Sequence, residues 1–288
     1  MNEATVLPFR RAGAEVFAPT LPTTEALART THLGIGAHPD DLEIMAYHGI
    51  LACFQTSDAW FSGVTVTDGG GSARDHAYRE HTDLEMIAVR KREQNKAAQV
   101  GDFSAMVLLD HPSAAVKLPG NEDVAADLEL VLSLTRPEVV YTHNLADKHD
   151  THVAVALRVI AAIRTMHKRD RPRSVIGCEV WRDLDWLSDA DKVVMAVGGR
   201  PHLASALLGV YDSQICGGKR YDLAALGRRL AHATFFESHS VDSDQALIWG
   251  IDLTPLVEDE SRDPAAFLQE HIDRFARDVK DRIKRLRG

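Results

Sequence analysis

Hydrophobic positions along the chain follow two different periods. Short apolar runs rich in β-branched residues predict strands, and longer segments with an apolar residue every three or four positions predict helices. The predicted strands cover 32–37, 60–67, 106–110 and 138–142, and the predicted helices cover 41–54, 81–100, 124–134, 153–166 and 264–287. Strands that alternate with helices are typical of an α/β protein, with a mostly parallel sheet and helices on both faces.

The two ends of the chain show a weaker pattern. Prolines at positions 8, 19 and 22 predict an irregular arm over residues 1–30. After about residue 170 the alternation fades, although VIGCEVWRDLDWL contains one more strand signal. No internal repeat or low-complexity linker divides the sequence. We therefore expect one domain over 1–288, with an N-terminal arm (1–30) and a more divergent C-terminal part (170–288).

Composition narrows the class of protein. The chain has 288 residues, of which 45% are hydrophobic, and a formal net charge of -9, so it is globular and a poor candidate for binding nucleic acid. The three cysteines form no CxxC pair, which favours a reducing compartment. The N-terminus lacks the order of a signal peptide, and no run of about 18 apolar residues could span a membrane. We expect a cytoplasmic protein with a small-molecule partner.

Two polar segments follow predicted strands. AHPDDLE (37–43) places His38 and Asp41 three positions apart at a strand-to-helix turn, and leaves Asp40 between them. HNLADKHDT (143–151) precedes a helix and provides His149, with His152 three positions further on. In parallel sheets, ligands bind just beyond the carboxyl ends of strands. We expect these two segments to meet there.

The residue types at these two strand ends suit a metal. Two histidines and one carboxylate, with one position left for water, form the ligand set of a catalytic zinc site, and ferrous iron uses the same set. A spare carboxylate beside the water is a natural general base, and a spare histidine can stabilise an oxyanion or protonate a leaving group. The spacing does not decide which of His149 and His152 binds the metal. The simpler interpretations are that Asp41 caps the next helix and that the histidines are solvated.

Four segments of the chain resemble one known family. AHPDDLE resembles the AHPDDE signature of the LmbE/PIG-L family of metal-dependent N-deacetylases, and KHDTH resembles that family's HPDH or HxDH motif. VTDGGGS resembles its glycine-rich loop, and RKREQNKAAQVG resembles its R-x-x-E helix. The four matches occur in the family's order over about residues 32–165.

The resemblance implies a three-layer, Rossmann-like α/β fold and a zinc-dependent hydrolase that removes an N-acetyl group from a glucosamine-containing small molecule. It implies that His38, Asp41 and His152 bind Zn²⁺, with Fe²⁺ as the alternative. Asp40 would be the base that activates water, and His149 would stabilise the oxyanion or protonate the amine.

One position departs from the family pattern. The family usually has Asp directly before the ligand histidine, where this chain has Thr151, and that Asp is thought to orient the catalytic histidine. Asp147 or Asp150 is a candidate replacement, and His143 is a candidate to orient a metal ligand. Metal binding is therefore a firmer expectation than catalysis.

Several further residues are candidates for binding substrate. Arg90 matches the family's arginine, although an arginine on a helix is more often solvated. The remaining candidates are Gly70 and Gly71 in the glycine-rich loop, Lys219 in SQICGGKRYD, Glu237 after a predicted helix, and Trp181 with Trp186 and Asp183 as a sugar-stacking wall. For each of these a surface turn or core packing is the simpler explanation.

Other functions compete with deacetylation. GIGAHPD after a strand suggests a dinucleotide-binding oxidoreductase, but Asp40 stands where the third glycine of that fingerprint belongs, and two carboxylates would repel a pyrophosphate. A metal-dependent amidase for a non-sugar metabolite and a catalytically impaired metal-binding relative remain alternatives. The sequence leaves open the substrate, the physiological metal and the oligomeric state, and the resemblance allows a homo-oligomer.

Overall fold

The computed structural model describes residues 7–287 of the chain. One sheet runs through them, with eight strands in the order β1-β4-β3-β2-β5-β6-β8-β7. The strands are β1 (Glu15–Phe17), β2 (His32–Gly36), β3 (Phe61–Thr67), β4 (Ala105–His111), β5 (Val139–His143), β6 (Ser174–Cys178), β7 (Lys192–Ala196) and β8 (Leu247–Asp252).

The central strands of the sheet are parallel. β4, β3, β2, β5 and β6 pair in parallel, whereas β1 pairs antiparallel with β4 at one edge. At the other edge β8 pairs antiparallel with both β6 and β7. The prediction of an α/β fold with a mostly parallel sheet is confirmed, and the sheet is mixed only near its edges.

Twelve α-helices connect and cover these strands within residues 7–287. They are α1 (Thr23–Ala28), α2 (Asp41–Met45), α3 (Tyr47–Cys53), α4 (Asp83–Val100), α5 (Ser113–Lys117), α6 (Glu122–Thr135), α7 (Asp150–Thr165), α8 (Pro201–Gly209), α9 (Asp212–Ile215), α10 (Tyr221–Phe235), α11 (Thr254–Glu258) and α12 (Pro264–Arg287). The predicted helix at 41–54 is thus two short helices that break at Ala46. None of the twelve is long and apolar enough to cross a membrane.

The core consists of two apolar clusters that take alternate residues from the same strands. In β4, Val107 and Leu109 belong to one cluster and Met106 and Leu108 to the other. The first cluster also contains residues of α6 and α7, and the second contains residues of α2, α3 and α8. Successive side chains of a strand point to opposite faces, so a strand buried on both faces reads as a continuous apolar run.

Both chain ends are more ordered than the sequence suggested. Residues 1–6 lie outside the described part, but residues 15–17 form β1, and Ala26 and Leu27 of α1 are fully buried in the core. The expectation of an irregular arm over 1–30 is therefore wrong for this part. Beyond residue 170 the chain supplies three strands and five helices. Their signals are weak because β7 is an edge strand with exposed positions and α9 is short.

Candidate metal centre and active site

The turn between β2 and α2 holds His38, Asp40 and Asp41. Oδ2 of Asp41 accepts a hydrogen bond from the backbone N–H of His38 at 2.7 Å, which closes the turn. Asp40 has a φ of 96°, a left-handed conformation that non-glycine residues seldom adopt, and its side chain does not cap α2. Backbone strain of this kind persists where the surroundings enforce it, and it is common at functional sites.

Three donor atoms from the two predicted segments converge. His152, in the first turn of α7, brings Nε2 to 3.1 Å from Nδ1 of His38 and to 3.5 Å from Oδ2 of Asp41. Nδ1 of His38 lies 3.4 Å from Oδ2 of Asp41, which completes a triangle. His152 and Asp41 are buried, and His38 is partly open to solvent.

The triangle has the dimensions of a metal site. Tetrahedral zinc with ligand bonds of about 2.1 Å separates its donor atoms by about 3.4 Å. The three distances match this spacing, and two imidazoles with one carboxylate are a suitable donor set for zinc or ferrous iron. His38, Asp41 and His152 therefore fit a divalent metal, which would also bind the water to be activated.

His143 lies directly behind the triangle. It ends β5, is fully buried, and stacks on His152 with ring centroids 3.9 Å apart. Asp41, His143 and His152 also lie close enough together to hold a metal. However, Nε2 of His143 already accepts the backbone N–H of Ala37 at 2.9 Å. Because that lone pair is occupied, we assign His143 to packing behind His152 rather than to the metal.

His149 borders the triangle on its open side. Its ring lies 4.9 Å from the ring of His38 and 6.3 Å from that of Trp181, measured between centroids. His149 is close enough to His38 and His152 to make up an alternative metal-binding group. Nδ1 of His149 is buried and has no hydrogen-bond partner among the described residues.

The two candidate replacements for the family's Asp do not reach the ring of His149. Asp147 accepts the backbone N–H of His149 at 2.9 Å, and its other oxygen lies 3.4 Å from Nδ1 of His152. Asp147 therefore orients the proposed metal ligand, as carboxylates behind metal-bound histidines do. Asp150 is exposed at the start of α7, and Thr151 is buried beside the cavity.

Burial and neighbouring charges set the protonation of the cluster. Burial lowers the pKa of His152 to about 4, so its lone pair is free for a metal at neutral pH. Burial alone would raise the pKa of Asp41, but His152 and His143 outweigh that effect and hold the pKa well below its usual range. Burial also lowers the pKa of His149, and the nearby His38 adds to this.

Asp40 is hydrogen-bonded to two residues of α4 rather than to the triangle. Nη2 of Arg90 donates to Oδ2 of Asp40 at 2.8 Å and also to the carbonyl of Pro39. The backbone N–H of Asp40 donates to Oε1 of Gln94 at 3.2 Å. Burial raises the pKa of Asp40 to about 6, against the opposing effect of Arg90. A carboxyl group poised near neutrality is suited to general-base catalysis.

A buried polar network behind Asp40 was missed by the sequence reasoning. Glu43 is fully buried and accepts hydrogen bonds from Tyr211 at 2.7 Å and from Gln94 at 3.0 Å. Glu93 accepts bonds from the backbone N–H and the hydroxyl of Ser213. Glu43 lies within AHPDDLE and Glu93 within RKREQNKAAQVG, but nothing in the sequence indicated their partners in the C-terminal part.

A cavity of about 890 Å³ opens in front of the cluster. His38, Asp40, Asp41 and His149 form its floor, and Gly71 lies along its wall. The opposite wall comes from the C-terminal part of the chain. This wall includes Trp181, Gln214, Lys219, Arg220, Tyr221 and Arg228.

Only some of the residues expected to bind substrate line the cavity. Arg90 is 1% exposed and paired with Asp40, so it is not a solvated residue, and it still contributes to the lining of the cavity. Gly70 donates its N–H to Asp68 and is not part of the cavity wall, and Glu237 is exposed beyond the end of α10. Lys219, Gly71 and Trp181 do line the cavity, whereas Trp186 packs against the core.

Solved structures share this fold. N,N'-diacetylchitobiose deacetylase from Pyrococcus horikoshii matches with a TM-score of 0.62 and 14% identity, over 80% of this chain and 86% of that chain. The 4-carboxy-2-hydroxymuconate hydratase GalB from Pseudomonas putida KT2440 matches with a TM-score of 0.60 and 17% identity, over 78% of this chain and 96% of that chain. The A40926 pseudoaglycone deacetylase matches with a TM-score of 0.57 and 15% identity, over 78% of this chain and 97% of that chain. Such low identities establish the fold alone, and one of the three proteins is a hydratase.

The sequence itself also matches a family. No curated protein sequence matches the chain significantly. Residues 33–163 match the family model described as PIG-L, GlcNAc-PI de-N-acetylase. That range includes both loops of the metal-binding triangle and the helix that holds Asp40. The match confirms the resemblance to the LmbE/PIG-L family over residues 33–163 of the chain.

Proposed function

We propose that the protein is a metal-dependent N-deacetylase that removes the acetyl group from a glucosamine-containing small molecule. The observation that carries this proposal is the pairing of two features. His38, Asp41 and His152 present three donors at metal-ligand spacing, and Asp40 lies next to them as a separately anchored carboxylate. Membership of the PIG-L family supports the same activity.

The metal would be held by His38, Asp41 and His152, with zinc the first choice and ferrous iron the second. When bound, a divalent ion supplies Lewis-acid activation of water and of the amide carbonyl. Asp147 lies 3.4 Å from Nδ1 of His152, and the ring of His143 stacks on the ring of His152. These two contacts keep His152 in place.

Asp40 and His149 would move the protons of the reaction. Arg90 binds Oδ2 of Asp40, which leaves Oδ1 as the oxygen that accepts the proton of the attacking water. His149, across the cavity floor, would donate a hydrogen bond to the developing oxyanion or a proton to the departing amine. The products are acetate and a free amine, so the cleaved bond is a linear amide C–N bond.

The residues that line the cavity support a substrate whose sugar carries an acidic group. Trp181 and Tyr221 offer aromatic faces on which a sugar ring can stack. Among the described residues that line the cavity, Asp40 and Asp41 are the only acids, whereas five residues are cations: Arg90, Lys117, Lys219, Arg220 and Arg228. Arg90 and Arg220 are paired with Asp40 and Asp222, and Arg228 donates to the carbonyl of Val180, so the two lysines are the better candidates to meet a phosphate or carboxylate.

Thr151 supports a second candidate, a metal-binding relative with weak or different catalysis. Nδ1 of His149 has no hydrogen-bond partner within residues 7–287, which leaves this ring less well oriented than a histidine paired with a carboxylate. A metal-dependent amidase that acts on a non-sugar metabolite would use the same residues. One protein with a similar fold is a hydratase, so this architecture hosts more than one reaction.

Acetate release tests the proposal. The purified protein would be incubated with N-acetylglucosaminides that differ in their second group, which is neutral, phosphorylated or carboxylated. Parallel samples would be chelated and then reloaded with Zn²⁺. Release that disappears on chelation, returns with Zn²⁺ and is absent from Asp40→Asn supports the deacetylase. Metal binding without release from any sugar would move the assignment to another amide or to the impaired relative.

A further inference from the structure

The last helix of the chain extends beyond the body of the protein. In α12 only Phe267 and His271 are buried, and the last anchor to the body is Arg274, which donates to Asp191 at 2.7 Å. Every residue from 277 to 287 is exposed. A helical segment of this length is marginal in water without packing. Its exposure indicates that another surface covers it.

One face of this exposed segment is apolar. Five side chains, between 38% and 77% exposed, make up what we call the apolar stripe: Ile272, Phe275, Val279, Ile283 and Leu286. They are three, four, four and three positions apart. At 3.6 residues per turn this places them within an arc of about 80°. A stripe this narrow is typical of a seam between two helices.

The stripe is symmetric about its central residue. The spacing from Val279 is the same in both directions, so Ile272 corresponds to Leu286 and Phe275 corresponds to Ile283. A second, antiparallel copy of the helix would therefore set each of these pairs in contact and place Val279 against Val279. Self-complementarity of this kind is what a two-fold contact between identical chains requires. We propose that α12 pairs antiparallel with α12 of a second copy of this chain.

The charges along one edge of the stripe fit the same arrangement. Asp278 and Arg282 lie on one edge of the stripe and form a salt bridge of 3.0 Å within the helix. In the antiparallel pair, Asp278 comes within one turn of Arg282 of the second copy, so opposite charges also face each other across the seam. This edge therefore attracts a second copy.

An anionic membrane is the competing occupant, since six of the residues from 277 to 287 are basic. However, Asp278 and Asp281 interrupt these cations, and the stripe is narrower than the apolar face of most surface helices. The observations therefore favour a second copy. Five side chains per chain make a small interface, so we expect a dimer that dissociates on dilution.

Disulfide trapping tests the register directly. Cys216 is the exposed native thiol, so all variants would carry Cys216→Ser, and Cys53 and Cys178 are buried. Under mild oxidation, Val279→Cys should crosslink to itself. Ile272→Cys and Leu286→Cys should crosslink in a mixture and little when each is alone, because only the antiparallel pair brings their Cβ atoms within disulfide reach. Self-crosslinking of Ile272→Cys, or no crosslink in any sample, would overturn the proposal.

Sedimentation velocity over a range of concentrations gives the second test. The native chain should shift from monomer to dimer, Val279→Glu should stay monomeric, and Lys284→Glu, on the opposite face of the helix, should dimerise like the native chain. Circular dichroism would verify that both variants are folded. A native chain that is monomeric at every concentration, including one that binds phosphatidylglycerol vesicles as a monomer, would contradict the proposed pairing.

Discussion

Arg90 and Asp40 form a buried ion pair with Nη2 and Oδ2 2.8 Å apart, directly beside the proposed metal ligands. The exposed fraction of the Arg90 side chain is 1% and that of Asp40 is 8%. The pair therefore fixes the proposed base in space and supplies the positive charge that limits the rise of its pKa. It gives Arg90 a partner inside the protein, in addition to its place in the lining of the cavity.

Replacing Arg90 by methionine should impair turnover more than metal binding. Burial already raises the pKa of Asp40 to about 6, and loss of the opposing cation would raise it further, so the base would be protonated near neutral pH. We expect kcat to fall roughly 100-fold, in the range of a lost general base. The metal content should be unchanged.

The same substitution should also destabilise the fold. Breaking a buried pair typically costs about 3–5 kcal/mol. The matched control is Arg92→Met, on the same helix but exposed, which should behave like the native chain in both thermal melting and activity. Native kcat in a folded Arg90→Met protein would show that Asp40 does not depend on this partner.

Replacing His152 by alanine should abolish metal binding. His152 is the buried corner of the donor triangle, within 3.5 Å of both other donors. After dialysis against Zn²⁺, elemental analysis should find about one ion per native chain and close to none in the variant. His202→Ala, an exposed histidine outside the cavity, serves as the control and should retain its metal. Full occupancy of the His152 variant would remove the site as proposed.

Replacing Thr151 by aspartate should increase deacetylation. The pKa of His149 is lowered by burial and by His38, and its Nδ1 has no partner among the described residues. A carboxylate at position 151, two positions further along the chain, would raise the pKa of His149 and orient its ring for proton donation. We expect kcat to rise about tenfold.

The variant Thr151→Asn, which is isosteric with Thr151→Asp, separates the effect of charge from that of shape. It should leave kcat near the native value, because the amide supplies no negative charge. Equal rates for Thr151→Asp and the native chain would mean that His149 works without a carboxylate partner, and that Thr151 does not mark weakened catalysis.

Thiol labelling should distinguish the three cysteines. Cys216 is exposed, whereas burial raises the pKa of Cys53 to about 12 and also raises that of Cys178. Because the thiolate is the reactive form, a maleimide at pH 7 should modify Cys216 alone in the folded protein and all three thiols after denaturation. Mass spectrometry would count the labels. Modification of Cys53 before unfolding would contradict the packing of α3.

The candidate metal ligands were accessible to sequence reasoning because their geometry is local. His38 and Asp41 share one turn, and His149 and His152 lie at the start of α7, so spacing and position at strand ends were enough to bring the two segments together. The choice of His152 over His149 came from the resemblance. The same holds for the central parallel strands, whose continuous apolar runs follow from burial on both faces.

Only the tertiary structure decided what surrounds these ligands. Tyr211 meets Glu43 across 168 positions of sequence, and Arg90 reaches Asp40 across 50. In the same way, Asp147 faces His152 instead of the ring of His149. Such contacts depend on how helices pack on the sheet, and no local pattern encodes that packing. The sequence by itself therefore determined which two segments can hold a metal and that Asp40 is the spare carboxylate, and the fold determined that Arg90 anchors this carboxylate.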